Sequence, residues 1–410
     1  MAVVRAFNGI RPAIGLAEFV AELPYDVVDS SEARKIAEGN EYSFFHISKA
    51  EIDMDPNINI YDSSVYAKGR DNFEKFLKKG IMVQDSEPRV YLYSQVMNGR
   101  MQTGLVCSVS IDDYIENRVK KHELTREDKE KDRTVHLNIV GANTGPVFLF
   151  YRADSTKLGF FKQGLSIEPE YDFTANDGVR HIIRVITDKK LIEDFEKSFE
   201  KDILYIADGH HRAASAARVC KERRETNPSF SGNEEFNFFL AVIFPHNELS
   251  IMAYNRVVSD LNGHTNESFL NTLRESFDVR ESNSKVPESR GSFSMYLNKL
   301  WYTLTPTFEI KDDPIEGLDV QILQNNLLQP ILGIENPRTD NRIQFIGGIR
   351  GTNELEQLVD STKYVVAFSM HATSIEELMK AADADKIMPP KSTWFEPKLR
   401  SGLVVHSIED

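Results

Sequence analysis

The segment Asp208-Gly209-His210-His211-Arg212 sets an acid, two imidazoles and a guanidinium side by side. Before it runs Ile203-Leu204-Tyr205-Ile206-Ala207, whose apolar character predicts a strand covered on both faces. After it come Ala213, Ala214, Ser215, Ala216 and Ala217, small residues that favour a closely packed helix. Gly209 permits the sharp turn between the two. A helix N-terminus offers free amides and partial positive charge, which suits an anion. Arg212 can grip phosphate oxygens bidentately. Phosphate is therefore the expected ligand of Gly209, His210, His211 and Arg212. Asp208 has three open roles: orienting a histidine, holding a metal ion or accepting a proton. The bland alternative is a polar helix cap with exposed histidines.

A second cluster is His122-Glu123-Leu124-Thr125-Arg126. It is not a zinc-protease helix, because position 126 is Arg rather than His. Glu123, beside Lys120, Lys121, His122 and Arg126, is a candidate general base for a hydroxyl. Its competing reading is a surface helix start within the mixed-charge run 120–133. Arg133 and His136 fall three apart on the same expected helix and can share a face. Arg126 and Arg133 are candidate nucleotide contacts. His122, His136, His210 and His211 could converge. No cysteine and no fixed His-x-x-x-His spacing supports a zinc held by the protein, so no protein metal ligand is assigned. Mg²⁺ carried by a nucleotide is expected instead, since it needs only a carboxylate or two plus phosphate. The chain lacks a Walker A loop, a Gly-x-Gly-x-x-Gly fingerprint and a Gly-x-Ser-x-Gly elbow. A P-loop kinase, a dinucleotide enzyme of the usual kind and an α/β-hydrolase are disfavoured.

These segments need a scaffold of ordinary globular composition, and the chain has one: 410 residues, 41% hydrophobic and 27% charged. The net charge of −14 argues against wholesale nucleic-acid binding but allows a local basic pocket. Cys107 and Cys220 are too few for a disulfide framework, which points to a reducing cytoplasm. No run of 18 apolar residues occurs, so neither a membrane span nor a signal peptide is expected. A homo-oligomer stays open.

The expected fold class is α+β (mixed α/β). Asp29 and Glu32 predict a capping box opening a helix over Ser30–Glu38, with Gly39 as its stop. Tyr42–Ile47 reads as a strand, and residues 61–79 as an amphipathic helix. Val90–Met97 and Gly104–Ile111 form a hairpin across Asn98-Gly99-Arg100. Glu235–Phe244 and Leu249–Val258 read as a second hairpin. Beyond Asp260, helices (268–277, 318–330, 374–383) alternate with strands (300–306, 343–347, 363–369), and Ser374 with Glu377 forms a capping box. Three regions are expected: 1–89, 90–260 and 261–410. Met388–Lys398 holds three prolines, two lysines and two aromatics. It reads either as a surface tail or as a loop held in place for a site.

With these motifs in place, the chain resembles, over essentially its whole length, the family catalogued as domain of unknown function 1015. The matching segments are Arg11–Leu16, Pro24–Val28, Lys121–Thr125 with Asp132-Arg133, Ala207–Arg212, and Met388–Thr393 with the following Phe395–Lys398. The stretch 90–260 is more remotely similar to the ParB/sulfiredoxin superfamily, whose members bind nucleotide phosphates on a turn between strand and helix. The archaeal ADP-dependent free serine kinases carry a similar Asp-Gly-His-His-Arg turn and an upstream glutamate. The resemblance implies a central nucleotide-binding domain with α/β extensions and ATP or ADP on Gly209, His210, His211 and Arg212. It implies a catalytic or metal-linked Asp208 and Glu123 as the base, although 85 residues separate the two here. It implies a phosphotransferase, in the kinase or phosphatase direction, acting on serine or phosphoserine. The competing function is a nucleotide-binding regulator or scaffold without catalysis. Sulfiredoxin-type sulfur chemistry is excluded, because His210 stands where a reactive cysteine is needed. Position 255 is Asn where relatives of this type carry His, so it is given no acid–base work.

Overall fold

The computed structural model describes residues 2–409. The chain folds as a mixed α/β protein in two compact units, one running to Leu249 and resumed from Pro397, the other spanning Ser250–Glu396. None of the described helices is long and apolar enough to cross a membrane.

The first unit is built on a nine-stranded mixed sheet. Its order runs Val119–Lys120, Leu204–Asp208, Val147–Tyr151, Phe238–Pro245, Arg100–Ser110, Val90–Met97, Arg180–Ile186 and Tyr171–Thr174, with Val4–Arg5 added beside Arg100–Ser110. Leu204–Asp208 runs antiparallel to Val147–Tyr151 and parallel to Val119–Lys120. Side chains alternate across the pleat. Leu204 and Ile206 face a core shared with Leu149, Phe195, Phe199 and the helix residues Ala213, Ala216 and Val219. Tyr205 points the other way and stacks on Phe150, ring centres 5.1 Å apart. Cys107 and Cys220 are both free and buried.

Residues before position 90 are not a separate body. Helix Ser63–Lys78 packs on helix Glu127–Val140, and Phe44, Ile47, Phe73 and Phe76 share one cluster with Val140 and Ala142. The capping box of Asp29 and Glu32 is present at helix Ser30–Ile36. The segment expected as strand Tyr42–Ile47 is instead a helical turn over Phe45–Ser48. Phe44, Phe45 and Ile47 are all fully buried, Phe45 in a different cluster from the other two. That distribution of apolar side chains suits a turn of helix and breaks the alternation of a strand.

The second unit carries a six-stranded antiparallel sheet in the order Phe277–Glu281, Leu300–Pro306, Phe293–Leu297, Val366–Met370, Tyr254–Val258, Ile343–Gly347. The Ser374–Glu377 capping box opens helix Ile375–Asp383 as expected. The second expected hairpin does not form. Phe238–Pro245 belongs to the first sheet, whereas Tyr254–Val258 pairs with Val366–Met370 and Ile343–Gly347. Both runs are buried on both faces, so composition alone could not assign them to one sheet or two.

The segment from Pro397 onward is woven through the first unit. Backbone bonds join Ser401 with Glu22 (3.1 and 2.8 Å) and Val405 with Ile10 (2.9 and 2.8 Å), and His406–Ser407 pairs with Ala142–Asn143. Arg400 is buried and donates to His181 at 3.2 Å. Glu22, beside this crossing, accepts the Ser43 hydroxyl at 2.6 Å. Burial pushes its carboxyl up to about 7, against the Ser43 bond and the Arg400 charge. A raised carboxyl favours the fold below its unfolded value of about 4.3 and loses that contribution as pH climbs through the folded value. Glu22 should therefore withdraw roughly 2–3 kcal/mol of stability between pH 5 and pH 8. Urea unfolding at both pH values should show that decline in the native protein and a flatter one in Glu22→Gln; equal slopes would remove Glu22 as its source.

Candidate functional site

The Asp208–Arg212 segment forms the expected strand, turn and helix. Strand Leu204–Asp208 ends, Gly209 takes a left-handed conformation (φ 96°, ψ 26°), and helix His210–Thr226 begins with a bond from the Ala213 N–H to the Gly209 carbonyl at 3.0 Å. The amides of His210, His211 and Arg212 are thus the first of the helix, ahead of its hydrogen-bond ladder. Glycine is required at 209 twice over. The left-handed backbone disfavours a side chain, and a Cβ there would lie 3.1 Å from Cζ of Arg212, whose guanidinium folds back across the turn. Arg212 donates through Nη1 to the Pro146 carbonyl, and its Nη2 lies 3.7 Å from Asp208. Its Nε is buried with no hydrogen-bond partner among the described residues.

Asp208 is saturated with donors. Oδ1 accepts the Gly209 N–H at 2.7 Å, and Oδ2 accepts the Lys398 ammonium at 3.0 Å. Burial alone would raise this carboxyl. The charges of Lys398 and Arg212, with the Lys398 and Gly209 hydrogen bonds, overcome it and hold the group well below the ordinary carboxylate range. At neutral pH Asp208 is a fixed anion that anchors two cations.

The segment His122–Arg126 is loop, and the helix expected across the charged run starts only at Glu127. The His122 ring meets that of His210 edge-on, centres 4.6 Å apart. A carboxylate oxygen of Glu123 and ring nitrogens of His122 and His210 all lie within 4.8 Å of one another, so Glu123 stands at the start of the turn helix. Arg126 reaches the turn through its backbone: its N–H donates to Nε2 of His211 at 3.0 Å, while its exposed guanidinium pairs with Asp128 at 2.8 Å. Burial holds the imidazole of His122 down at about 4 and that of His136 at about 3, places His210 well below its ordinary value and lowers His211. All four rings are neutral at physiological pH.

A pocket beside the turn is lined by Tyr25, Arg133, Thr144, Arg212, Ser215 and Ser401, with His136 also on its wall. Arg133 is held by Asp132 at 2.8 Å and lies 4.1 Å over the Tyr25 ring. The Tyr66 hydroxyl donates to the other oxygen of Asp132 at 2.8 Å. Arg133 and Arg212, from two helices, thus face one pocket. His136 donates to the Ile47 carbonyl at 3.1 Å and serves as part of the wall.

Of the residues singled out from sequence, Glu123, Asp208, Gly209, His210, His211, Arg212 and Arg133 gather around this turn, and Arg126 contributes its amide rather than its charge. Lys398 and Tyr25 join the site in the structure, and the motif residues do not point to them. Their signals were the proline- and lysine-rich stretch 388–398 and the Pro24-Tyr25 loop. Replacing Asp208 by Asn should cost about 2 kcal/mol of stability, the size of a charged hydrogen-bond network losing its anion. Because the folded carboxyl is depressed, that difference should be fully present above about pH 4 and shrink as pH falls through the folded value. Denaturant unfolding of both proteins from pH 3 to pH 8 tests this, and a gap that widens in acid would contradict it.

No curated protein matches the chain. Among solved structures, a free serine kinase mutant in complex with AMP aligns at 13% identity over 73% of this chain and 91% of its own, with a TM-score of 0.37. A conserved hypothetical protein from Pyrococcus furiosus aligns at 12% identity over 74% and 95%, TM-score 0.35. C-terminally truncated SbnI from Staphylococcus aureus aligns at 11% over 73% and 87%, TM-score 0.39. The family model described as protein of unknown function (DUF1015) matches residues 4–321, more than three quarters of the sequence and the whole of the turn and its upstream loop; the chain belongs to that family.

Proposed function

We propose that the protein is a nucleotide-dependent phosphotransferase acting on a small hydroxylated metabolite. The observation that carries this reading is Arg212: a half-buried guanidinium whose Nε is buried and unpartnered among the described residues, set at a helix N-terminus and sharing a pocket with Arg133. Buried donors without partners are rare, and a phosphate oxygen is a fitting acceptor. In this reading the amides of His210 to Arg212 and the Arg212 guanidinium take the phosphoryl oxygens. Lys398 and Arg133 add positive charge, and Glu123 activates the acceptor hydroxyl. Electrostatic stabilisation and positioning of this kind supply most of the rate in phosphoryl transfer. ATP or ADP with Mg²⁺ is the proposed donor, and serine or phosphoserine the first substrate pair to try. That last choice rests on the resemblance of the Asp208–Arg212 turn to that of the free serine kinases, not on the pocket.

The test is calorimetry with ATP and ADP, followed by phosphorus NMR of mixtures with serine, phosphoserine and other small hydroxylated metabolites. Arg212→Ala should weaken nucleotide binding by about 10- to 100-fold, the loss of one charged hydrogen-bonding group. Glu123→Gln should leave the Kd within about twofold and reduce turnover at least ~100-fold, the scale of lost acid–base assistance. No nucleotide binding, or binding indifferent to Arg212→Ala, would sink the reading. Tight binding with no product from the native protein would replace it with a nucleotide-binding regulator.

A further inference from the structure

His122 and Glu123 follow strand Val119–Lys120, while His210 opens a helix 88 residues after His122. The fold brings one ligand atom from each within 4.8 Å of the other two. Ligand atoms around a tetrahedral zinc with bonds of about 2.1 Å sit about 3.4 Å apart, so side-chain rotations moving them by about 1 Å close the set. Both imidazoles are buried, and burial keeps them neutral, the form that ligates. The His122 ring is hydrogen-bonded to the Ile206 carbonyl. That bond fixes one nitrogen as the N–H and directs the other as a lone-pair donor, the usual outer-shell arrangement of a ligating histidine.

The bland alternative is a packed histidine pair beside a half-buried carboxylate. It explains the burial of the rings, and a bound ion would in addition account for three ligand atoms, two nitrogens and one carboxylate oxygen, lying within 4.8 Å of one another. We propose that His122, Glu123 and His210 bind one divalent transition-metal ion of the zinc type, with at least one coordination position left open. Two imidazoles and one carboxylate suit zinc, cobalt or manganese better than magnesium, which takes oxygen ligands almost alone. His211 is not among the three converging residues, and its Nε2 accepts the Arg126 N–H at 3.0 Å; Nε2 of His210 faces the His122 N–H at the longer distance of 3.5 Å, a contact that a bound ion would replace or leave to the other ring nitrogen. The ligating histidines are thus not the adjacent pair. The proposal goes beyond the phosphotransferase reading and does not rest on it: the ion binds or fails to bind in the absence of nucleotide.

The experiment is a titration of chelator-treated, full-length protein with Co²⁺ alone, read by visible absorption and calorimetry. The native protein should take up one equivalent with a d–d band, lose that band to Zn²⁺, and keep it in millimolar Mg²⁺. Glu123→Gln, which preserves shape at a half-buried position, should weaken Co²⁺ binding by more than about 100-fold, beyond the effect of losing an outer-shell partner. His210→Gln should abolish the band; should that variant not fold, Glu123→Gln decides alone. Absence of stoichiometric Co²⁺ uptake by the native protein, or native-like binding by Glu123→Gln, overturns the site. Neither result touches the nucleotide titrations, which stand or fall on Arg212.

Discussion

The contact on which the turn depends is the ion pair between Asp208 and Lys398, made across 190 residues at 3.0 Å. A carboxylate at the end of a buried strand has lost most of its water, and desolvation alone would favour its neutral form. The Gly209 amide, Lys398 and Arg212 reverse that preference. Each partner makes a structural demand. The amide contact accompanies the left-handed Gly209, Arg212 must fold back over a residue without a side chain, and Lys398 must arrive from the far end of the chain. The weave of residues 397–409 through Glu22, Ile10 and Ala142–Asn143 is what brings it there.

A second constraint is the pairing of helix Glu127–Val140 with helix His210–Thr226. The Ser215 hydroxyl donates to the Glu130 carbonyl at 3.0 Å, and the loop before Glu127 is tied to the turn by the Arg126 amide on His211. Helix His210–Thr226 turns Ala213, Ala216, Val219 and Cys220 to the sheet core, and these polar ties add to that packing. The Asp132 carboxylate, held by Tyr66, steers Arg133 onto Tyr25 and into the pocket that Arg212 lines. Two guanidinium groups therefore share a space because two carboxylates, Asp208 and Asp132, hold them there.

What was legible in the sequence was local. The hairpin at Asn98-Gly99 follows from two residues that tolerate positive φ, 53° and 78°. Both capping boxes follow from a four-residue pattern, and the strand, turn and helix at 204–226 from an apolar run, one glycine and a block of alanines. What was illegible depended on partners distant in sequence. Phe238–Pro245 and Tyr254–Val258 are alike in composition yet belong to different sheets. The residues around Phe45 are apolar enough for a strand, but Phe44 and Ile47 bury in one cluster and Phe45 in another, a spacing that suits a helical turn. Arg126 advertises a charge, and the turn uses its backbone. Lys398 lay in a stretch whose stiffness was evident, but nothing local said which carboxylate it would meet.

The charges around the turn frame the remaining question. Arg212, Arg133 and Lys398 supply three positive charges, and Asp208, Asp132 and Glu123 supply three negative ones, so these six side chains sum to zero. The imidazoles cannot tip the balance, because burial keeps His122, His136 and His210 neutral and lowers His211. An anion at this turn in an acidic protein therefore relies on oriented dipoles, namely the first amides of the helix, and on how closely each guanidinium approaches it. Opposite charges held in pairs are cheaper to bury than bare cations, which explains why the arginines come with carboxylates already attached. Glu123 stands by the His122 and His210 rings, one ligand atom of each within 4.8 Å of the others. The positive ends available to such an anion are therefore the first helix amides and the buried Nε of Arg212.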